Sequence, residues 1–200
     1  NYGADTLRLY EMFMGPLDQD RPWETKSVVG SLRLLQRVWR NLVNEETGTI
    51  AVTDDDPPVE LKQFLNQTIK SVRDDMENLR FNTAIARITE LNNKITKSDA
   101  KTPREVAEVL THLIAPLVPH IAEELWEMLG NDSSIVYSPF PVADPRYLSR
   151  ETVEIPIQIN GKLKSKITVP AGCSSSDLRD AALGDEKIAS IVLDKEIRKE

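Results

Sequence analysis

Cysteine is almost missing from this 200-residue chain. Cys173 stands alone, so no intrachain disulfide can form and no cysteine-built metal site is possible. A single thiol among serines suits a reducing cytosol, so the expected location is cytoplasmic. Long apolar runs are absent as well. None approaches the roughly 18 residues needed to cross a bilayer, and the first residues lack a signal-peptide pattern, so no membrane partner is expected. Histidine is scarce, with only His112 and His120. His120 shares a helix face with Glu123 and Glu124, but the paired-histidine spacing of a zinc helix is missing. A surface pair or a polar contact at a proline kink accounts for it better than a metal does. No glycine-rich phosphate loop, nucleophile–base arrangement or poised carboxylate pair stands out. The chain is expected to be catalytically silent, with no metal and no cofactor of its own.

A cationic excess is missing too. The chain carries 25 Lys+Arg against 32 Asp+Glu, a net charge of −7, which argues against indiscriminate binding to nucleic-acid backbones; DNA is not an expected partner. Residues 1–150 hold 17 cations and 23 anions, and residues 151–200 hold 8 and 9. A chain of this composition that binds a polyanion must concentrate its cations locally.

What is present is, first, helical periodicity. Asp5 can cap a short helix that stops at Gly15-Pro16. A long helix should start near Thr25 and turn Val28, Leu32, Leu35, Trp39 and Leu42 inward. A third carries Leu61, Leu65, Thr68, Val72, Met76 and Leu79 on one face. After a break at Arg80-Phe81 and a cap at Asn82, a fourth carries Ala84, Ile85, Ile88, Leu91 and Ile95. The fifth has Thr102 as cap, Pro103 in the first turn and Glu105 to close a capping box. From Leu113 to Ala122 it is apolar nearly all round, which places it in the middle of a bundle, kinked by Pro116 and Pro119. Trp39 and Trp126 lie in apolar stripes and read as core.

The pattern then changes. Pro139, Pro141 and Asp144-Pro145 mark an extended connector. Beyond it the period switches to 2, with Val153, Ile155, Ile157 and Ile159, then the hairpin turn Asn160-Gly161, then Leu163, Ser165, Ile167 and Val169. Pro156 suits an edge or an outward position. Ser176 or Asp177 opens a short helix toward Leu183, Asp185 can open another, and a third strand starts at Ile197. The expected fold class is mainly α: a helical bundle over 1–145, then a small, truncated α+β domain of β-β-α, β-grasp-like type over 151–200. The chain lacks an initiator Met and both ends interrupt a pattern, so it reads as a piece of a longer polypeptide.

Two groupings of cations meet the requirement for local charge. Lys26, Arg33, Arg37 and Arg40 fall within an arc of about 60° on the long helix, roughly opposite its apolar face and with no acid among them. Such a stripe fits phosphates along a groove, and its plain alternative is a solvated helix face. Lys162, Lys164 and Lys166 alternate along one strand, opposite Leu163 and Ile167. A nearby polyanion relieves their repulsion, and strand lysines also protect an edge from aggregation.

Three stretches carry a family resemblance. Tyr2-Gly3-Ala4-Asp5-Thr6-Leu7-Arg8-Leu9-Tyr10 resembles the segment that follows the Lys-Met-Ser-Lys-Ser loop of class I aminoacyl-tRNA synthetases. The run from Leu113 to Trp126, with its Ala115-Pro116-Leu117-Val118-Pro119-His120 centre, resembles the last bundle helix of the leucine, valine and isoleucine enzymes. Ile157-Gln158-Ile159-Asn160-Gly161-Lys162-Leu163-Lys164-Ser165-Lys166-Ile167-Thr168-Val169-Pro170 is similar to the compact C-terminal domain of bacterial-type leucyl-tRNA synthetases. Phe13-Met14-Gly15-Pro16-Leu17, Phe81-Asn82-Thr83-Ala84-Ile85-Ala86 and Asp144-Pro145-Arg146-Tyr147-Leu148 fit the same family in the same order.

The resemblance implies a tRNA-binding part of a leucine–tRNA ligase whose catalytic and editing domains lie elsewhere in its chain. It implies ATP and Mg²⁺ for the full-length enzyme and tRNA(Leu) as partner, gripped through shape and phosphates rather than anticodon bases. The site residues expected on that basis are Lys26, Arg33, Arg37, Arg40, Lys162, Lys164 and Lys166. The competing readings are another branched-chain synthetase and a helical protein-interaction module with no RNA role.

Overall fold

The computed structural model describes residues 2–98, 100–148, 152–170 and 173–192. It divides the chain into two compact units, Asn1–Leu148 and Ser149–Glu200. The first unit holds α1 (Ala4–Phe13), α2 (Thr25–Leu42), α3 (Val59–Glu77), α4 (Phe81–Thr96), α5 (Arg104–Ile114) and α6 (Pro119–Met128). Their inward faces make one continuous apolar core, with Val38, Leu42, Leu65, Val72, Leu91, Leu110, Leu113 and Leu125 fully enclosed.

Two prolines divide the last part of the bundle into two helices where the sequence suggested one kinked helix. Pro119 cannot donate to an earlier carbonyl and so occupies the first turn of α6, where no such donor is needed. The break between α5 and α6 is closed by α1. The Asp5 carboxylate accepts from the backbone N–H of Ile121 at 2.8 Å and lies 2.8 Å from Nδ1 of His120. Arg8 donates from Nε and Nη2 to the carbonyls of Leu117 and Pro116, each at 3.0 Å. Asp5 therefore caps α6 and not its own helix, whose N-cap is Gly3 at φ 78°.

Other local expectations shift for similar reasons. Thr102 is not a helix cap. It lies with Pro103 in a two-residue strand, β4 (Thr102–Pro103), parallel to β3 (Val52–Thr53), and its hydroxyl donates to the carbonyl of Asn41 at 2.7 Å. Between α2 and β3, β1 (Val43–Asn44) and β2 (Thr49–Ile50) form a short antiparallel pair turned by Gly48 at φ 67°. Asn82 lies inside α4, whose N-cap is Arg80. Leu79 is 59% exposed and left-handed at φ 57°, so it ends α3 instead of packing along it.

The stretch expected as an extended connector is strapped to the bundle as far as Leu148. Ile135 is buried, and Arg73 donates to the carbonyls of Phe140 and Pro141 at 3.1 and 3.0 Å. Asn66 accepts from the backbone N–H of Asp144 at 2.7 Å, and Glu123 accepts from Ser134 and from the N–H of Ile135.

The second unit is an antiparallel hairpin of β5 (Thr152–Ile159) and β6 (Lys162–Pro170), followed by α7 (Ser175–Gly184) and α8 (Glu186–Val192). Asn160 and Gly161 make its turn with φ 51° and 73°, the two left-handed residues that a tight hairpin needs. Ser174 and Asp177 form a reciprocal capping box on α7. Asp185 accepts from the N–H groups of Lys187 and Ile188 at the start of α8. The expected strand at Ile197 lies outside the described residues.

Candidate nucleic-acid interface

The long helix α2 carries the first grouping of cations. Its start is fixed by Tyr10, whose hydroxyl accepts from the N–H of Glu24 at 2.9 Å and whose ring meets Trp23 edge-on at 4.9 Å. Its C-terminal half is tied to α4 by a polar ladder. Arg37 donates from Nη1 to Asn93 at 3.0 Å, and Asn41 donates to the side chains of Asn92 and Thr96 at 2.7 and 2.9 Å. With both ends held, the face that α2 presents is set.

That face differs from the one the sequence suggested. The buried residues of α2 are Val28, Ser31, Leu34, Leu35, Val38 and Leu42, whereas Leu32 and Trp39 are only half-buried. The inward face is turned by about 50° relative to the expected one. Lys26, Arg33 and Arg40 stay exposed, and among the described residues none has a carboxylate within ion-pair distance. Arg37 does not share that freedom. It is half-buried, it bonds Asn93, and its Nε is enclosed without a partner. The row of four is thus three solvent-facing cations along roughly 21 Å of helix, plus one arginine that fastens the helix.

The hairpin alters the second grouping more. Ile157 pairs with Ser165 but Gln158 pairs with Leu163, so Lys164 is an extra residue without a partner. This bulge reverses the alternation beyond it. Lys166 pairs with Pro156 on the outer face and its Nζ lies 3.0 Å from a Glu154 carboxylate oxygen. Lys162 pairs with Ile159 and so falls on the side of the half-buried Val153, Ile155 and Ile157. Leu163 is turned outward opposite Gln158 and is 57% exposed. The three lysines are all exposed, but they do not share one face opposite Leu163 and Ile167. A one-residue bulge has no periodic signature, which is why alternation alone missed it.

On the inner side of this hairpin, the Ser165 hydroxyl donates to Asp185 at 2.7 Å. That bond, first, and the N–H donors of Ile188 and Lys187 hold the Asp185 carboxyl below its ordinary value of 3.8. In the bundle, hydrogen bonding to Asp56 raises the Lys62 ammonium above its ordinary 10.5.

One cationic arrangement escaped the sequence reading. Asp75, 3% exposed near the end of α3, accepts from Nε of Arg80 at 2.9 Å and from Nε of Arg87 at 2.7 Å. Lys94, one heptad further along α4, lies 5.2 Å above the Phe64 ring. The spacing 80, 87, 94 was the available signal. Among the described residues, no group of three His, Cys, Asp or Glu side chains is placed to hold a metal ion, and no helix is long and apolar enough to cross a membrane.

Comparison with known proteins gives these surfaces a context. Over 200 residues the chain is 55% identical to the leucine–tRNA ligase of Saccharopolyspora erythraea, covering 99% of this chain and 21% of that protein. It is 54% identical over 198 residues to the leucine–tRNA ligase of Streptomyces avermitilis, with the same coverage. The chain thus spans about 21% of the length of these curated relatives. A crystal structure of the ternary complex of Agrobacterium radiobacter K84 agnB2 LeuRS-tRNA-LeuAMS is similar in fold, with a TM-score of 0.78 and 27% identity over 99% of this chain and 27% of that one. Residues 60–176 match the model of the family described as the anticodon-binding domain of tRNA ligase. That match spans more than half of the sequence, and the chain belongs to the anticodon-binding domain family of tRNA ligases.

Proposed function

We propose that this chain is the tRNA-binding part of a leucine–tRNA ligase and that its partner is tRNA(Leu). The observation that carries the reading is the outer face of α2, where Lys26, Arg33 and Arg40 stand exposed and, among the described residues, without carboxylate partners in a chain of net charge −7. Unpaired cations on a rigid helix suit phosphates and carry no sequence information themselves, so the contact is to the tRNA body. The exposed Lys162, Lys164 and Lys166 add a second contact on the hairpin, with Lys166 weakened by Glu154. Arg37 acts through α2, holding the face in place through Asn93.

Leucine activation with ATP and Mg²⁺ would be the work of the catalytic domain of such a ligase, which also carries an editing domain. This chain, placed in the cytoplasm, would bind and orient the RNA without a reacting group of its own. The test is a set of tRNA titrations at several salt concentrations with the chain and its Lys26, Arg33 and Arg40 glutamine variant. The variant should bind more weakly and lose up to about 0.7–0.9 units of salt slope per contact removed. Unchanged affinity and slope would return α2 to the solvated-face reading, and leucine-dependent pyrophosphate exchange by the isolated chain would refute its catalytic silence.

A further inference from the structure

A buried carboxylate needs one cation to be neutralised, and Asp75 has two. Each of its oxygens takes the Nε of one arginine from the side, so neither guanidinium is gripped by its fork. The terminal amines of Arg87 make no hydrogen bond among the described residues, and Arg80 spends only Nη2, on the Asp74 carbonyl at 3.4 Å. The two side chains are 43% and 50% exposed. The cluster therefore carries one net positive charge, and Asp75 restricts the freedom of two guanidiniums while leaving their planar donor ends to solvent. Planar forks of this kind match the oxygens of a phosphodiester.

Lys94 continues the line. Arg87 and Lys94 are seven residues apart on α4, and Arg80, its N-cap, stands seven before Arg87, so the three follow one side of the helix at intervals of roughly 10 Å. Each is steadied by α3, the arginines by Asp75 and the lysine by the Phe64 ring. Among the described residues no carboxylate other than Asp75 is within ion-pair distance of the three. Apart from Val59, both helices lie inside the 60–176 stretch that matches the tRNA-ligase family, whereas α2 lies before it.

We infer that Arg80, Arg87 and Lys94 form a second phosphate-binding row, taking the sugar–phosphate backbone of an RNA along the α3–α4 surface. The inference rests on the tRNA-binding reading and adds a site to it. Asp75 is a positioning residue in this row: it aims the arginines without meeting the ligand. The competing account is that the cluster only bolts the α3–α4 corner, which would matter for stability and not for RNA.

The experiment measures tRNA affinity at several salt concentrations, together with the urea midpoint, for R87Q/K94Q, for K94Q alone and for the control K70Q/K101Q. Lys70 and Lys101 are exposed and lie off the row, so the control removes the same charge. The double row variant should lose several-fold in affinity at low salt and about 1.5 units of salt slope, and K94Q about half that slope. The control should change neither. K94Q disturbs only a surface cation–π contact, so it reports even if R87Q/K94Q folds poorly. Wild-type affinity and slope in K94Q and in folded R87Q/K94Q would overturn the row and leave the corner bolt. If the unaltered chain shows no salt-dependent tRNA binding, the underlying tRNA reading fails as well. If only the α2 variant weakens binding, that reading stands without this row.

Discussion

The helical unit and the hairpin unit are held together in different ways. In the first, all six helices contribute side chains to one dry core. In the second, only Val169 and Ile188 are buried among the described residues, and order comes from the Asn160-Gly161 turn, the Ser174–Asp177 box and the Asp185 cap. Burial scales with size, so a unit of about fifty residues leans on local devices that a larger one can do without. The practical lesson is that deep truncations should be severe in the bundle, whereas within the hairpin unit polar substitutions should rival apolar ones.

The largest expected effect tests that contrast directly. Leu110 is fully enclosed, and Leu110→Ala should cost about 3–5 kcal/mol. Trp23, Trp39 and Trp126 all belong to the bundle, so their fluorescence in urea reports this unit alone. Ile188→Ala should leave that transition in place and lower only the part seen by backbone dichroism. Equal movement of the fluorescence midpoint in both variants would show that the units unfold as one.

Next comes Asp5, whose loss leaves the first turn of α6 uncapped beside a proline break. Asp5→Ala should cost the bundle about 2–3 kcal/mol in the same fluorescence titration. A cost below about 0.5 kcal/mol would mean that water replaces the cap without penalty.

In the hairpin unit the counterpart is Asp185. Its folded value is lowered, so the stability it contributes is present above 3.8 and is lost as pH falls through the lower folded value. Acid titration followed by dichroism should therefore loosen this unit over that range, and Asp185→Asn should remove that dependence while weakening the unit at neutral pH. An unaltered acid profile in the variant would assign the dependence to other carboxylates.

The smallest effect has the opposite sign. Leu79 is exposed and left-handed, so Leu79→Gly should gain up to about 1 kcal/mol, less the extra chain entropy of glycine. A loss in urea midpoint would show that the leucine side chain packs usefully at the corner.

Much of the fold could be read from spacing. Ala84, Ile85, Ile88, Leu91 and Ile95 are all buried on α4 as their period implies, and both hairpin strands and their turn fall where alternation put them. What escaped was non-local or aperiodic. On α2, Leu34 and Val38 are as apolar as Leu32 and Trp39, and only the packing of α1, α4 and α6 decides which pair turns inward. Asp5 looked like a cap for its own helix because its partner lies 116 residues away in sequence. Of the candidate site residues, Lys26, Arg33 and Arg40 lie as a row, Arg37 is fastened inward, and the lysine strand is divided by a bulge that composition does not encode.

The contact between α1 and the α5–α6 break has a consequence for how the molecule is made. Asp5 and Arg8 are synthesised more than a hundred residues before Ile121 and Leu117, the groups they bind. At about 5–20 residues per second, Asp5 and Arg8 wait roughly 5–20 s on the ribosome before the α5–α6 break that they close exists. Helix α1 is therefore held by α2 early but fully secured only once α6 is made. Its docking closes a long loop, a non-local step that slows folding relative to the neighbouring α3–α4 hairpin.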